Sequence, residues 1–316
     1  MADMASQWPM MLATLLTGTA GWLLVAACVH LAAPGASVRA RVRPPQALAI
    51  ALAIAGLVAG VVVQGVMLGS VGTLFQLLSR PGSRYFSLMI SLIAALVMAI
   101  AVAVASAQGA GSTAMRVLAA LGALAGVAVA VTGGFVFLPS TFTAWNTPLL
   151  AVAVCGCSAA GGASLYLLLV GALSKPDGAP LATTSAVAPE QGGDGQATAL
   201  RRRPLRVRLA LPTAVTALLC AVALACTLPF LAVTGTRRGD SSAAWLAVCV
   251  AGMAGALACA VAAWLARSHK GACVVLALVA TVLGILAAVA LRMYMGDFAT
   301  SAFTQVSSMS SPAGRL

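Results

Sequence analysis

Eight continuous apolar stretches, at 10–33, 46–69, 87–108, 117–138, 148–173, 209–233, 244–266 and 271–295, decide what this chain can fold into. A hydrocarbon core about 30 Å thick takes roughly 20 residues of helix at about 1.5 Å each, and every stretch reaches that length. The stretches are rich in Ala, Leu and Val and lack the in-and-out alternation of an outer-membrane barrel, so strands are excluded. Composition agrees, since 61% of residues are apolar and only 8% charged, values that water-soluble domains do not reach. The predicted fold is an all-α integral membrane protein, a bundle of about eight transmembrane helices. The first stretch is expected to be a retained span: it exceeds the roughly 7–15 residues of a signal-peptide core and has no Lys or Arg before it.

Lys and Arg accumulate on the cytoplasmic side of a membrane protein. With the N-terminus outside, the inner segments hold twelve basic residues, the outer segments five, and Arg292 falls within the last stretch. This predicts an N-out/C-out topology, and it assigns the net charge of +12 to short loops facing anionic lipid. A nucleic-acid partner is not expected, because no basic face carries interleaved aromatics. Trp8, Trp145, Trp245 and Trp264 stand near the ends of stretches, where amphipathic rings favour the interface, and Trp22 reads as a mid-span packing residue.

Residues 174–208 break the pattern of short loops. They are rich in Pro, Gly, Ala and Thr without apolar periodicity, and are read as a flexible basic cytoplasmic linker. It separates helices one to five, residues 1–173, from helices six to eight and a short outer tail, residues 209–316, within a single membrane domain. The run Arg201–Arg208 reads as a membrane-surface anchor.

Several chemistries lack their residues. All six carboxylates lie outside the stretches, so the usual acid relay of pumps and transporters is missing. The eight cysteines lie within them without a CxxC spacing, which argues against an iron–sulfur cluster or structural zinc in this chain. The two histidines, His30 near the end of the first stretch and His269 in a loop, are not placed to share a haem iron. No catalytic or metal-ligating residue is assigned. Polar residues collect toward the outer half instead: Gln64 in the second stretch, the loop 70–87, the segment before the fifth stretch, and Arg292. An Arg inside a span is costly unless it faces protein or water, or snorkels to the interface, where Tyr294 and Asp297 are near in sequence.

These segments carry a resemblance. Gln7-Trp8-Pro9, then Leu68-Gly69-Ser70 with Phe75, Leu78, Arg80, Gly82 and Ser83, then Tyr85-Phe86-Ser87, Ala144-Trp145-Asn146-Thr147-Pro148 and the Arg292-x-Tyr294 pair occur in order. Together with the span count, this pattern resembles the membrane anchor subunit of dimethyl-sulfoxide-reductase-type molybdopterin oxidoreductases. The resemblance implies a haem-free anchor that holds an iron–sulfur electron-transfer subunit and a molybdopterin catalytic subunit, and takes electrons from menaquinol in anaerobic respiration. Members of that family usually carry a His before the Leu-Gly and a Glu early in the third span. Here those positions are Met67 and Met89, Thr73 replaces a basic residue, and the linker is an enlargement.

The residues able to orient a quinone head group are Arg80, Arg84, Asn146, Arg292 and Tyr294, with Trp145 and Tyr85 to stack on its ring. The alternatives are a purely structural anchor that has lost quinol oxidation, and a small-solute transporter. Single-cysteine labelling in a background without the native thiols tests the orientation. Val187→Cys is expected to react only from the cytoplasm and Thr141→Cys only from outside; the reverse pattern overturns the N-out topology.

Overall fold

The computed structural model describes residues 2–32, 44–67, 76, 79, 81, 84–108, 111–136, 148–173, 205–235, 241–266 and 268–309. Among them are eight long helices and no strand: α1 (Ala2–Ala32), α2 (Pro44–Met67), α3 (Arg84–Ala107), α4 (Ser112–Phe135), α5 (Pro148–Leu173), α6 (Leu205–Gly235), α7 (Ser241–Leu265) and α8 (Lys270–Met309). Each contains a segment of 22 to 26 residues apolar enough to cross a membrane. The chain is an all-helical, multi-pass membrane protein.

The distribution of side chains is the reverse of a water-soluble bundle. Large residues such as Val62, Ile93, Val97, Leu124, Leu218 and Val282 point outward, while Ala, Gly and Cys dominate the interior. Such a surface would aggregate in water, yet it costs nothing against lipid tails. Lipid is as apolar as Leu, so helices associate through van der Waals packing and interhelical hydrogen bonds, and small residues permit the closest approach.

Two rings of four helices result. α1 packs with α2 and α4, and α3 with α4 and α2; in the second ring α5 packs with α6 and α8, and α7 with α6 and α8. The rings meet chiefly where α1 touches α5, and these two spans are 67% and 72% buried against 33–44% for the other six. Position in the first ring therefore repeats four helices later in the second. The linker does not mark this division, because it leaves after α5, one helix inside the second ring.

Glycines set the spacing where the rings are tightest. A Cβ on Gly162 of α5 would stand 2.6 Å from the Thr19 carbonyl oxygen of α1. A Cβ on Gly21 of α1 would stand 2.7 Å from the Gly126 oxygen of α4, and one on Gly126 2.6 Å from the Gly21 oxygen. Gly284 of α8 lies against Gly161 of α5 in the same manner. Hydroxyls within the spans return their protons to their own helices, as Thr17 does to the Ala13 carbonyl (2.9 Å) and Thr281 to that of Ala277 (2.7 Å). No water is available in a bilayer core to do so.

Gly162→Ala is expected to destabilise the bundle by about 1–3 kcal/mol, the scale of overpacking. Gly133→Ala, where a Cβ would meet nothing within 4 Å, is expected to be neutral or slightly stabilising. Thermal unfolding in detergent checks the pair, and equal melting temperatures would contradict the packing account.

Candidate functional site: a buried arginine between the two rings

Arg292 lies in the last membrane-spanning turns of α8 and is 2% exposed. Side chains on a helix lean toward its N-terminus. Accordingly Nη1 donates to the Ala288 carbonyl oxygen one turn back, at 2.9 Å. The guanidinium thus runs into the bundle, away from the end where α8 leaves the membrane, so it does not snorkel. Its Nε donates to Thr14 Oγ1 of α1 and its Nη2 to Ser158 Oγ of α5, each at 3.4 Å.

Both hydroxyls are already committed as donors. Thr14 gives its proton to the Met11 carbonyl (3.0 Å) and Ser158 to that of Val154 (2.9 Å), leaving their oxygens to accept from Arg292. Gly18 makes room for this, since a Cβ there would stand 2.7 Å from Ser158 Oγ. One side chain therefore ties α8 to both central helices, across the boundary between the rings.

Among the described residues none of its partners is a carboxylate. A guanidinium offers five N–H donors, and among the described residues three acceptors meet them, two at the long end of the hydrogen-bond range. An intramembrane Arg that does not reach the interface is costly and is a functional candidate by default.

The other residues proposed for the site are distributed differently. Tyr294, two positions on, emerges on another side of α8 and packs edge-on to Phe230 of α6, with ring centroids 6.4 Å apart. Residues two apart do not share a helical face. Tyr85 stands at the start of α3, half-buried against the core of the first ring. The structure does not bring these three side chains together. Arg80, Trp145, Asn146 and the Arg84 side chain lie outside the described residues.

Two further polar groups belong to this inventory. Gln64 of α2 is buried, and its Oε1 has no hydrogen-bond partner among the described residues. Met89 is buried in the first ring's core. Trp22 does pack in mid-span and also donates Nε1 to the Cys155 carbonyl of α5 (3.1 Å). His30 pairs Nδ1 with the Tyr166 hydroxyl of α5 at 2.6 Å. Among the described residues no three His, Cys, Asp or Glu converge on a metal position.

Thr14, Gly18 and Ser158 are not singled out by the sequence reading. Their spacing on separate helices carries no periodic signal, so only the packing of α1 on α5 could reveal them. Neither a protein-family model nor a curated protein sequence matches this chain.

The stability of two variants distinguishes a tie from a charge under strain. Ser158→Ala leaves the buried guanidinium short of an acceptor and is expected to cost about 1–3 kcal/mol. Arg292→Leu removes the charge along with its desolvation cost and is expected to unfold no earlier than Ser158→Ala. The opposite order of melting temperatures would contradict this assignment.

Proposed function

We propose that this chain is the membrane anchor subunit of a dimethyl-sulfoxide-reductase-type complex, tethering iron–sulfur and molybdopterin subunits at a bacterial inner membrane and exchanging electrons with menaquinol. The anchoring role rests on the ordered resemblance of the outer segments and on the eight-span bundle. The observation that carries quinol exchange is Arg292, a buried cation with donor capacity beyond its described partners.

Quinol, when bound, supplies two electrons and two protons. The residues described fit part of that task. Arg292 can hold a ring oxygen by a charge-assisted hydrogen bond, and the unpartnered Gln64 oxygen is an acceptor in the first ring. Met89 cannot take a proton. A structural anchor is the second reading, favoured by the engagement of all three Arg292 nitrogens with protein oxygens.

A transporter fits less well. Transporter sites form where broken helices meet near the bilayer midplane, whereas α1 and α6 remain continuous across Pro9, Pro212 and Pro229.

Purification from native membranes in mild detergent is expected to bring down an iron–sulfur protein and a molybdopterin enzyme, and their absence would overturn the anchor reading. In that complex, Arg292→Leu is expected to assemble and to retain activity with an artificial donor. Turnover with quinol should fall roughly 10- to 100-fold, the equivalent of about 1.5–3 kcal/mol. Unchanged quinol turnover would leave the structural anchor.

A further inference from the structure

α4 belongs to the first ring and α6 to the second, and the two share no packed interface. Between them lies a cleft of about 710 Å³, floored by Val25, Cys28 and Val29 of α1 and walled by Ala119 and Ala123 of α4 and Leu211 of α6. It sits toward the end of the bundle where α1 stops and α4 and α6 begin, and it reaches Ala32, the last residue of α1. Its lining on α4 runs from Ala119 to Val127, about 12 Å of helix, which fits within one leaflet of about 15 Å.

Charge at the rim separates this cleft from an ordinary lipid-facing groove. No charged, hydroxyl or amide side chain lines its walls. The rim is the opposite, for the segments that join or open helices at this end carry twelve of the eighteen Lys and Arg residues. Arg116 precedes Ala119 by three residues and Ala123 by seven, so it stands on the same face of α4 as the lining, one turn nearer the end. It is exposed and lies in the first turn of the α4 span. A helical side chain leans toward the N-terminus, which carries the Arg116 charge outward to head-group level. On the opposite wall Arg208 is three positions before Leu211, just ahead of the α6 span.

We infer that this cleft is a binding site for an anionic phospholipid, an acyl chain lying between α4 and α6 and the phosphate held at Arg116, with the charge of Arg208 on the neighbouring helix. A guanidinium takes a phosphate through paired charge-assisted hydrogen bonds, and basic pockets between membrane helices are where anionic head groups bind. A neutral lipid meets the same walls but has no net charge to match the rim. Acyl chain and bilayer are equally apolar, so selection comes from the head group and from close packing, not from hydrophobic transfer. The bound lipid fills the gap between α4 and α6 and so joins the two rings on the side where their helices do not meet.

The test uses the full chain, stripped of lipid, reconstituted into phosphatidylcholine vesicles with phosphatidylglycerol as the minor component, and extracted again in mild detergent. Phospholipid retained per chain is then quantified by head group. Wild type is expected to retain phosphatidylglycerol well above its share in the vesicles. Arg116→Gln should retain about fivefold less, the equivalent of about 1 kcal/mol, and the double variant Arg116→Gln/Arg208→Gln about 30-fold less. Ala123→Phe fills the cleft and should release the lipid. Two controls should behave as wild type: Leu121→Phe, on exposed surface outside the lining, and Lys270→Gln, which removes a charge at the same end of the bundle from α8. Retention by wild type in proportion to the vesicle composition overturns the proposal. So does a loss in Lys270→Gln equal to that in Arg116→Gln, or undiminished retention in Ala123→Phe. Arg116 is exposed, so its replacement leaves the packing intact and the head-group comparison decides the matter even where Ala123→Phe fails to fold.

Discussion

Association of these helices depends on how closely α1 can approach α5. Between helices in lipid there is little to gain from transferring apolar side chains, so contact energy comes from surfaces that fit. Small residues let neighbours approach α5 on several sides: Gly156 lies against Ala223 of α6, Gly161 against Gly284 of α8, and Thr19, Trp22 and Leu23 of α1 settle around Gly162. Every other helix packs on at least one of these two. A bulkier residue at the crossing would separate the rings as well as the pair.

That crossing also makes a buried charge tolerable. α1 and α5 are joined through polar contacts at three places along their length. Thr14 and Ser158 meet through Arg292, Trp22 reaches the Cys155 carbonyl, and His30 reaches Tyr166. Each places a donor against an acceptor that lipid could not provide, and fixes rotation and register where apolar packing alone would allow sliding. The six less buried helices surround this axis, and the gap between α4 and α6 is the consequence of both leaning on it without meeting.

Span number, helical class and the absence of acids from the spans were legible in the sequence because each depends only on local hydropathy and residue identity. The eight observed helices match the predicted stretches to within a few residues at each end, except that α1 begins at Ala2 and α8 runs on to Met309. The cost of Arg292 could be read from its neighbours in the chain, but its direction could not. Snorkelling and burial fit the same local sequence, and they differ only in whether Thr14 and Ser158, 278 and 134 residues away, offer oxygens at the right depth. Tyr294 looked like a companion because it is near in sequence, yet the helical turn of about 100° per residue directs it to Phe230. Uniformly apolar helices carry almost no stripe to show which face is inward. Sequence therefore determined that the chain enters the membrane and in how many passes, and only tertiary packing decided which helices are central and where the charge is satisfied, because small-residue fit is a property of two surfaces together.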